Sequence, residues 1–308
     1  MEKNYTIGID LRVLGGGSYG GIAQYVLGLL PELFKIDRRI KFKLFFSGRD
    51  AKVRSWILKK VEPWLAQENV RFFDFNYPNR LLFASARLFN YPKLDYLVRG
   101  ADVFFSPHFF AAPISAECRS VVTFHYLSFI RHAEFISWRK NIWHRLEMKP
   151  QEQAWQADKI IAVSRSTKND LINLFGINPE KIEVIYSGVQ PMGKSAIPPT
   201  FDPRLLARES SSRRMADPIF VKHKYNLPEK FFLFLGALEP RKNIAGIIKA
   251  FNYLKSKRQI PGDSALVVAG PRGWLYEEVL KIHRDSPHKD CIHFIGPVEE
   301  EDKPFLYS

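Results

Sequence analysis

The stretch Phe231-Phe232-Leu233-Phe234-Leu235-Gly236-Ala237-Leu238-Glu239-Pro240-Arg241-Lys242-Asn243 decides how the rest of the chain is read. Its apolar run predicts a buried strand, Gly236 a tight exit, and Asn243 a helix start. In a parallel sheet that order builds an anion site at the carboxyl end of a strand. Two adjacent cations near a helix N-terminus oppose the helix dipole. A bound anion gives Arg241 and Lys242 a reason to be there, and a solvated pair is the alternative. The ligand expected is a phosphorylated one.

The same strand-then-helix order recurs on both sides. Upstream, strands are predicted over 5–11, 42–47, 70–75, 102–106, 120–123, 159–164 and 181–186. Ile22, Val26, Leu29, Leu30 and Leu33 mark one face of a helix. Further helices are predicted over 138–157 and 166–175, with Ser164 as the N-cap of the second. Downstream, strands over 231–235, 265–269 and 291–295 alternate with helices over 243–255 and 274–283. Alternation of this kind predicts a mostly parallel sheet covered on both faces. Between the two series, residues 191–218 carry five prolines and the run Ser210-Ser211-Ser212-Arg213-Arg214, without apolar periodicity. They read as a linker.

Bulk properties fit two domains: 308 residues with 46% hydrophobic content. Lys plus Arg number 46 against 32 Asp plus Glu, a formal balance of +14. That surplus points to an anionic partner, whether nucleic acid, acidic lipid or a phosphorylated ligand. No zinc finger, RNP pattern or basic zipper supports nucleic acid. Cys118 and Cys291, the two cysteines, lack metal-ligand spacing, and so do His125, His132 and His144. No metal site is expected. The N-terminus runs straight into a strand pattern, and no apolar run approaches the ~20 residues of a membrane span. A cytoplasmic protein is expected, with a peripheral position on the inner face of the cell membrane as the further option. Two stretches suit a membrane surface: Lys52–Val61, and the segment from Arg80 to Arg99, where Arg80, Arg87, Lys93 and Arg99 stand among Leu81, Leu82, Phe83, Leu88 and Phe89. Ordinary helices packed on the sheet are the alternative for both.

Three other motifs need weighing. Gly15, Gly17 and Gly20 match G-x-G-x-x-G, but the second strand ends Phe46-Ser47-Gly48-Arg49 without the acid that holds a dinucleotide ribose. A glycine loop facing some ligand is the better account, and a solvent loop the bland one. Gly188 through Gly193-Lys194-Ser195 matches the P-loop pattern, yet Pro198-Pro199 follows where a phosphate-cradling helix must begin. It is a chance match. Thr123-Phe124-His125 puts a histidine at the carboxyl end of a strand, where it can face a sugar hydroxyl or a phosphate. The residue alone leaves that role and a hydrogen-bonded loop histidine equally open. His108 has a similar position.

At this point the residues resemble a known family. Leu235–Asn243, with Ile247, Ala250 and Phe251 beyond, is similar to the signature of retaining glycosyltransferases of the family-4 type. The resemblance extends to Gly20-Gly21-Ile22 with Tyr25-Val26, to 158–168 and 181–189, and to Val268-Ala269-Gly270 and Phe294-Ile295-Gly296-Pro297-Val298. It implies an α/β, GT-B fold: two Rossmann-like doubly wound domains facing a cleft. The expected division is an acceptor-side domain over 1–190, a linker over 191–222 and a partial nucleotide-sugar domain over 223–308. It implies transfer of a hexose, with retention of configuration and no catalytic metal or cofactor. The acceptor would be a polysaccharide or a lipid-linked glycan. Loose similarity to mannosyltransferases implies GDP-mannose as donor. By resemblance, Arg241 and Lys242 hold the donor diphosphate, with Gly236 at the strand exit. Gly20 and Gly21 approach the phosphates, His125 lies near the donor sugar, and Gly296–Val298 lies near the base. Tyr126 stands where the family often has aspartate. The family's paired glutamates and its returning C-terminal helix are not found by Ser308, so the second domain is expected to be incomplete. The acids Glu299, Glu300, Glu301 and Asp302 read instead as a solvated helix start. A truncated, catalytically weak protein that keeps acceptor or membrane binding is the alternative to a working enzyme.

Overall fold

A computed structural model describes residues 4–16, 20–135, 148–189 and 218–307. The chain divides into two compact units. One comprises Met1–Ala133 and Trp138–Gln190, the other Glu134–Ser137 and Pro191–Ser308.

The first unit is a seven-stranded parallel sheet in the order β3-β2-β1-β4-β5-β6-β7. Its strands are β1 Thr6–Asp10, β2 Lys41–Ser47, β3 Val70–Phe75, β4 Val103–Ser106, β5 Arg119–Phe124, β6 Lys159–Ala162 and β7 Ile182–Val184. Its helices are α1 Gly21–Ile36, α2 Ala51–Leu65, α3 Asn79–Phe89, α4 Leu94–Leu97, α5 Ser128–Arg131, α6 Pro150–Gln156 and α7 Arg165–Phe175. Successive side chains of a strand face opposite sides of the sheet, and the core divides accordingly. Leu44 and Phe46 of β2 pack with Val26, Leu30 and Phe34 of α1 and with Ile57 and Val61 of α2. Phe45, between them, packs with Leu82 of α3, Leu94 of α4 and Phe104 of β4 on the other face. Strands buried on both faces need apolar residues throughout rather than at alternate positions, which explains the near-continuous run Leu44-Phe45-Phe46.

Several local expectations hold for visible reasons. Ser164 caps α7, its Oγ accepting the Thr167 amide at 3.0 Å, and Gly176 closes that helix in left-handed backbone at φ 68°. β6 therefore stops at Ala162, short of the predicted residue 164. The helix expected over 138–157 does not run through Lys149, which adopts left-handed backbone at φ 41° and caps α6 at Pro150. The earlier part of that stretch lies outside the described residues. So do Gly17, the Gly193-Lys194-Ser195 end of the P-loop match and most of the predicted linker.

The second unit holds a three-stranded parallel sheet in the order β10-β9-β8. Its strands are β8 Phe231–Leu235, β9 Ala265–Ala269 and β10 Ile292–Gly296. Its helices are α8 Pro218–Lys224, α9 Ile244–Ser256, α10 Glu277–Arg284 and α11 Lys303–Leu306. Every residue of β9 is buried. Leu266 and Val268 pack on Ile244, Ile248 and Phe251 of α9 and Val279 of α10. Ala269 packs on the opposite face, with Val221 of α8 and Leu306 of α11. α8 begins inside the segment read as linker. α10 starts three residues later than predicted, because Leu275 takes a positive φ of 54° that no helix accommodates.

Of the acids 299–302, expected as a solvated cluster, Glu299 and Glu301 are exposed and Asp302 departs. Asp302 is buried, and its Oδ2 accepts both Lys224 Nζ at 2.7 Å and Tyr225 Oη at 2.8 Å. Glu299 accepts from the same Lys224 at 2.8 Å. A buried carboxylate needs such partners, and these fasten the loop after β10 to the end of α8.

Candidate functional site

In the second unit the three strands end together on glycines. Gly236 follows β8, Gly270 follows β9 and Gly296 ends β10. The Gly236 amide donates to the Ala269 carbonyl at 2.8 Å, and the Gly270 amide donates to the Gly296 carbonyl at 2.7 Å. Gly270 sits at φ 142°, and a Cβ there would lie 2.0 Å from the Gly236 carbonyl oxygen. No side chain fits. The three backbones close on one another at the carboxyl edge of the sheet, where parallel α/β sheets receive ligands.

Arg241 and Lys242 follow Gly236 closely, on the turn by which the chain leaves that edge. Pro240–Lys242 form a single 3-10 turn, and Asn243 then caps α9 in left-handed backbone at φ 52°. The cations therefore precede the helix instead of opening it. Arg241 is not loose on its turn. Its Nε donates to Glu239 Oε2 at 2.6 Å, and its guanidinium lies 5.9 Å from the centre of the Trp274 ring. Glu239 is itself buried, so this pair gives the guanidinium a fixed anchor. Lys242 is exposed and has no side-chain ion pair among the described residues. The turn thus offers one oriented cation and one free one. Sequence reasoning missed Glu239 as a partner. An acid two residues before an arginine, across a proline, was the signal present.

Gly296, at φ 75°, lies on the same edge. Val298 has a different place. It is buried with Val221, Ala269 and Leu306, so its side chain belongs to the core and only its backbone is left to meet a ligand.

In the first unit the carboxyl edge again gathers the residues of interest. The chain steps outward from β1 to β2 and β3, then crosses back to β4 on the other side of β1, which makes the β1–β4 crevice the switch point of the sheet. Gly20 and Gly21 open α1, and Gly20 has ordinary extended backbone with no side-chain cap on the helix. A Cβ on either residue would meet nothing within 4 Å. Neither glycine is required by its own backbone or by its neighbours. Their smallness leaves room in front of the uncapped amides of α1.

His125 follows β5. Its Nε2 donates to the Pro107 carbonyl at 2.8 Å, which leaves Nδ1 as the acceptor of a neutral ring. Burial pushes its pKa below the usual histidine value, against the opposing pull of that hydrogen bond. Tyr25 of α1 meets the ring edge-on at 4.9 Å, and the His108 ring lies 5.9 Å away. The structure thus brings His108 and His125 together at one edge, beside α1.

The residue that sequence reasoning overlooked entirely is Arg12. It follows β1 and is buried with Asp10 in a bidentate pair, Nε to Oδ1 at 3.0 Å and Nη2 to Oδ2 at 2.5 Å. Nη2 also donates to the Ala111 carbonyl at 2.9 Å. The guanidinium lies among the rings of Phe45, Phe83 and Phe110, 5.0–5.7 Å from their centres. A cation just past a buried strand was the available signal, the same one that singled out Arg241.

Two family matches cover most of the chain. Residues 19–191 match the family described as Glycosyltransferase Family 4, and residues 216–308 match Glycosyl transferases group 1. The chain belongs to glycosyltransferase family 4. Among curated relatives of this family-4 chain is the O-antigen chain mannosyltransferase B of Escherichia coli, 25% identical over 94% of the chain and 70% of the relative. Another is the Campylobacter jejuni N-acetylgalactosamine-N,N'-diacetylbacillosaminyl-diphospho-undecaprenol 4-alpha-N-acetylgalactosaminyltransferase. It is 25% identical over 49% of the chain, and the match spans about a third (33%) of its own length. Among solved structures, Anabaena Alr3699/HepE in complex with UDP-glucose matches at a TM-score of 0.60, with 16% identity, over 98% of the chain and 71% of its own. The GT-B fold of this family-4 chain agrees with that likeness.

Proposed function

We propose that this protein transfers a hexose from a nucleoside-diphosphate sugar to a glycan or lipid-linked acceptor, with retention of configuration. The observation that carries this reading is the Arg241–Lys242 turn beside the glycine-closed strand ends. In the transfer, the bond between the anomeric carbon and the diphosphate oxygen breaks. A glycosidic bond to the acceptor oxygen forms, the proton of the acceptor hydroxyl passes to water, and the nucleoside diphosphate leaves with added negative charge. Cations fixed where that charge appears lower the barrier. Arg241, anchored by Glu239, is already aimed, and Lys242 is free to close on the departing phosphate. Gly236 and Gly296 let the phosphate and the base approach the strand ends, and Gly20 and Gly21 offer the amides of α1. His125, neutral, presents an acceptor atom to a sugar hydroxyl. Residues 1–190 form the acceptor side and 223–308 the donor side.

Mannose from GDP-mannose is the donor this reading favours, supported by the mannosyl relative. The UDP-glucose structural relative makes UDP-sugars the first competitors. The relative acting on a diphospho-undecaprenol substrate supports an acceptor held in a membrane, reached from the cytoplasmic face.

The test is nucleotide release from a panel of GDP- and UDP-sugars in the presence of lipid-linked acceptors. Arg241→Ala and Lys242→Ala are each expected to lower turnover by about 10²–10³, the usual cost of removing one charge-stabilising donor. Release at the wild-type rate from both variants would refute the diphosphate assignment. No release from any sugar nucleotide, with acceptor still bound, would favour a binding protein.

A further inference from the structure

The sequence offers two basic amphipathic stretches, and the structure treats them differently. α2 buries Ile57, Val61 and Trp64 against the sheet and leaves only Leu58 and Leu65, at 45% and 42% exposure, as large apolar side chains in solvent. α3 buries only Leu82 and Ala86. Its outer side keeps Leu81 at 66% exposure, Leu88 at 71% and Phe89 at 73%, and Tyr91 just beyond is 64% exposed. Leu81 and Leu88 are seven residues apart and so lie in one row along the helix, two turns from end to end. Arg80 and Arg87, also exposed, form a second row beside it. Neither arginine has an ion pair among the described residues. From Phe75 to Leu94 the chain contains no acidic residue, while Arg80, Arg87 and Lys93 are basic.

An apolar row of this kind left in water is costly, and soluble surfaces seldom keep such patches without a partner. A row of cations beside leucine and aromatic side chains suits one surface above others. The leucines and Phe89 enter the acyl boundary, Tyr91 sits at headgroup level, and the guanidiniums meet lipid phosphates. We infer that α3 is a docking face for an anionic phospholipid bilayer, lying flat on it through Leu81, Leu88, Phe89 and Tyr91 with Arg80 and Arg87 on the headgroups. The inner side of the same helix sets the consequence. Phe83 packs 5.5 Å from Phe110, just past β4, and 5.0 Å from the Arg12 guanidinium. Docking through α3 therefore holds the carboxyl edge of the seven-stranded sheet next to the bilayer, within reach of a membrane-held molecule. The assignment rests on this surface and is independent of sugar transfer.

Vesicle flotation of the full chain tests it, with phosphatidylcholine vesicles and phosphatidylcholine–phosphatidylglycerol vesicles as the two probes. Binding is expected to the mixed vesicles at low salt and to fall steeply as salt is raised. Arg80→Gln with Arg87→Gln is expected to weaken partition by about tenfold or more, and Leu88→Ser with Phe89→Ser by a comparable factor. Lys59→Gln with Lys60→Gln on α2 serves as the control and is expected to weaken it far less. All six positions are exposed, and unchanged melting curves will show that the variants fold. Failure to bind the mixed vesicles, equal binding to both vesicle types, or an equal loss in the α2 control would each overturn the inference. So would light scattering that shows a dimer dispersed by Leu88→Ser with Phe89→Ser, since a second copy would then be what covers α3.

Discussion

Arg12 and Asp10 show how much one buried pair controls at the carboxyl edge of the first sheet. Both side chains are 1% exposed, so each charge depends on the other for what water would supply. Breaking such a pair leaves an uncompensated charge in the core, whereas replacing both members need not. Arg12→Ala is therefore expected to cost about 3–5 kcal/mol of folding stability. The double replacement Asp10→Asn with Arg12→Met should cost clearly less. Urea unfolding of the two variants measures the difference, and equal losses would show that packing against Phe45, Phe83 and Phe110 outweighs charge. Arg241 is the opposite case. It is exposed and held by one buried acid, so its loss should show in turnover rather than in stability. Both arginines follow a strand, and nothing in the sequence separates their roles. Burial does, and burial depends on the rings that the fold assembles around Arg12.

The element that most constrains the second unit is the trio of strand ends. Gly270 occupies a backbone region that essentially only glycine adopts, with a carbonyl oxygen where a Cβ would go. Gly270→Ala is expected to lower stability by more than about 3 kcal/mol, from strain and overlap together. Gly236→Ala should be far milder, because its Cβ would meet only the edge of the Phe234 ring at 3.3 Å, and a ring can shift. Thermal melting ranks the two, and equal shifts would mean that the interlock is looser than its hydrogen bonds imply. At this scale the sequence was largely legible. Ser164, the leucine face of α1 and the three strands of the second unit all declare themselves through caps, period and apolar runs. What failed had local physical causes: left-handed backbone at Lys149 and at Leu275, which neither residue type advertises. The buried place of Asp302 was hidden for another reason. Its partners Lys224 and Tyr225 lie more than seventy residues away.

Across the whole molecule the charge is lopsided, +14 at pH 7. A field of that sign gathers anions before any specific contact is made. For a diphosphate donor, kcat/KM is expected to fall severalfold as ionic strength rises from about 10 mM to about 150 mM, where the screening length shortens from about 30 Å to about 8 Å. kcat should hold, since bound donor no longer feels the steering. Initial-rate kinetics at fixed pH measures both, and a flat kcat/KM would place the excess charge away from the path of the donor. By itself the sequence determined the fold class, the parallel strands, the Arg241–Lys242 turn and the family resemblance. These rest on short-range order: apolar runs, glycine exits and neighbouring cations. Only the tertiary structure decided that α2 buries Ile57, Val61 and Trp64, while α3 buries Leu82 and Ala86 and leaves Leu81, Leu88 and Phe89 outside. It alone showed that Arg12 is buried against Asp10, and that Glu239 holds Arg241. Those outcomes depend on which surfaces meet in space, and a one-dimensional pattern carries no record of what lies across from each side chain.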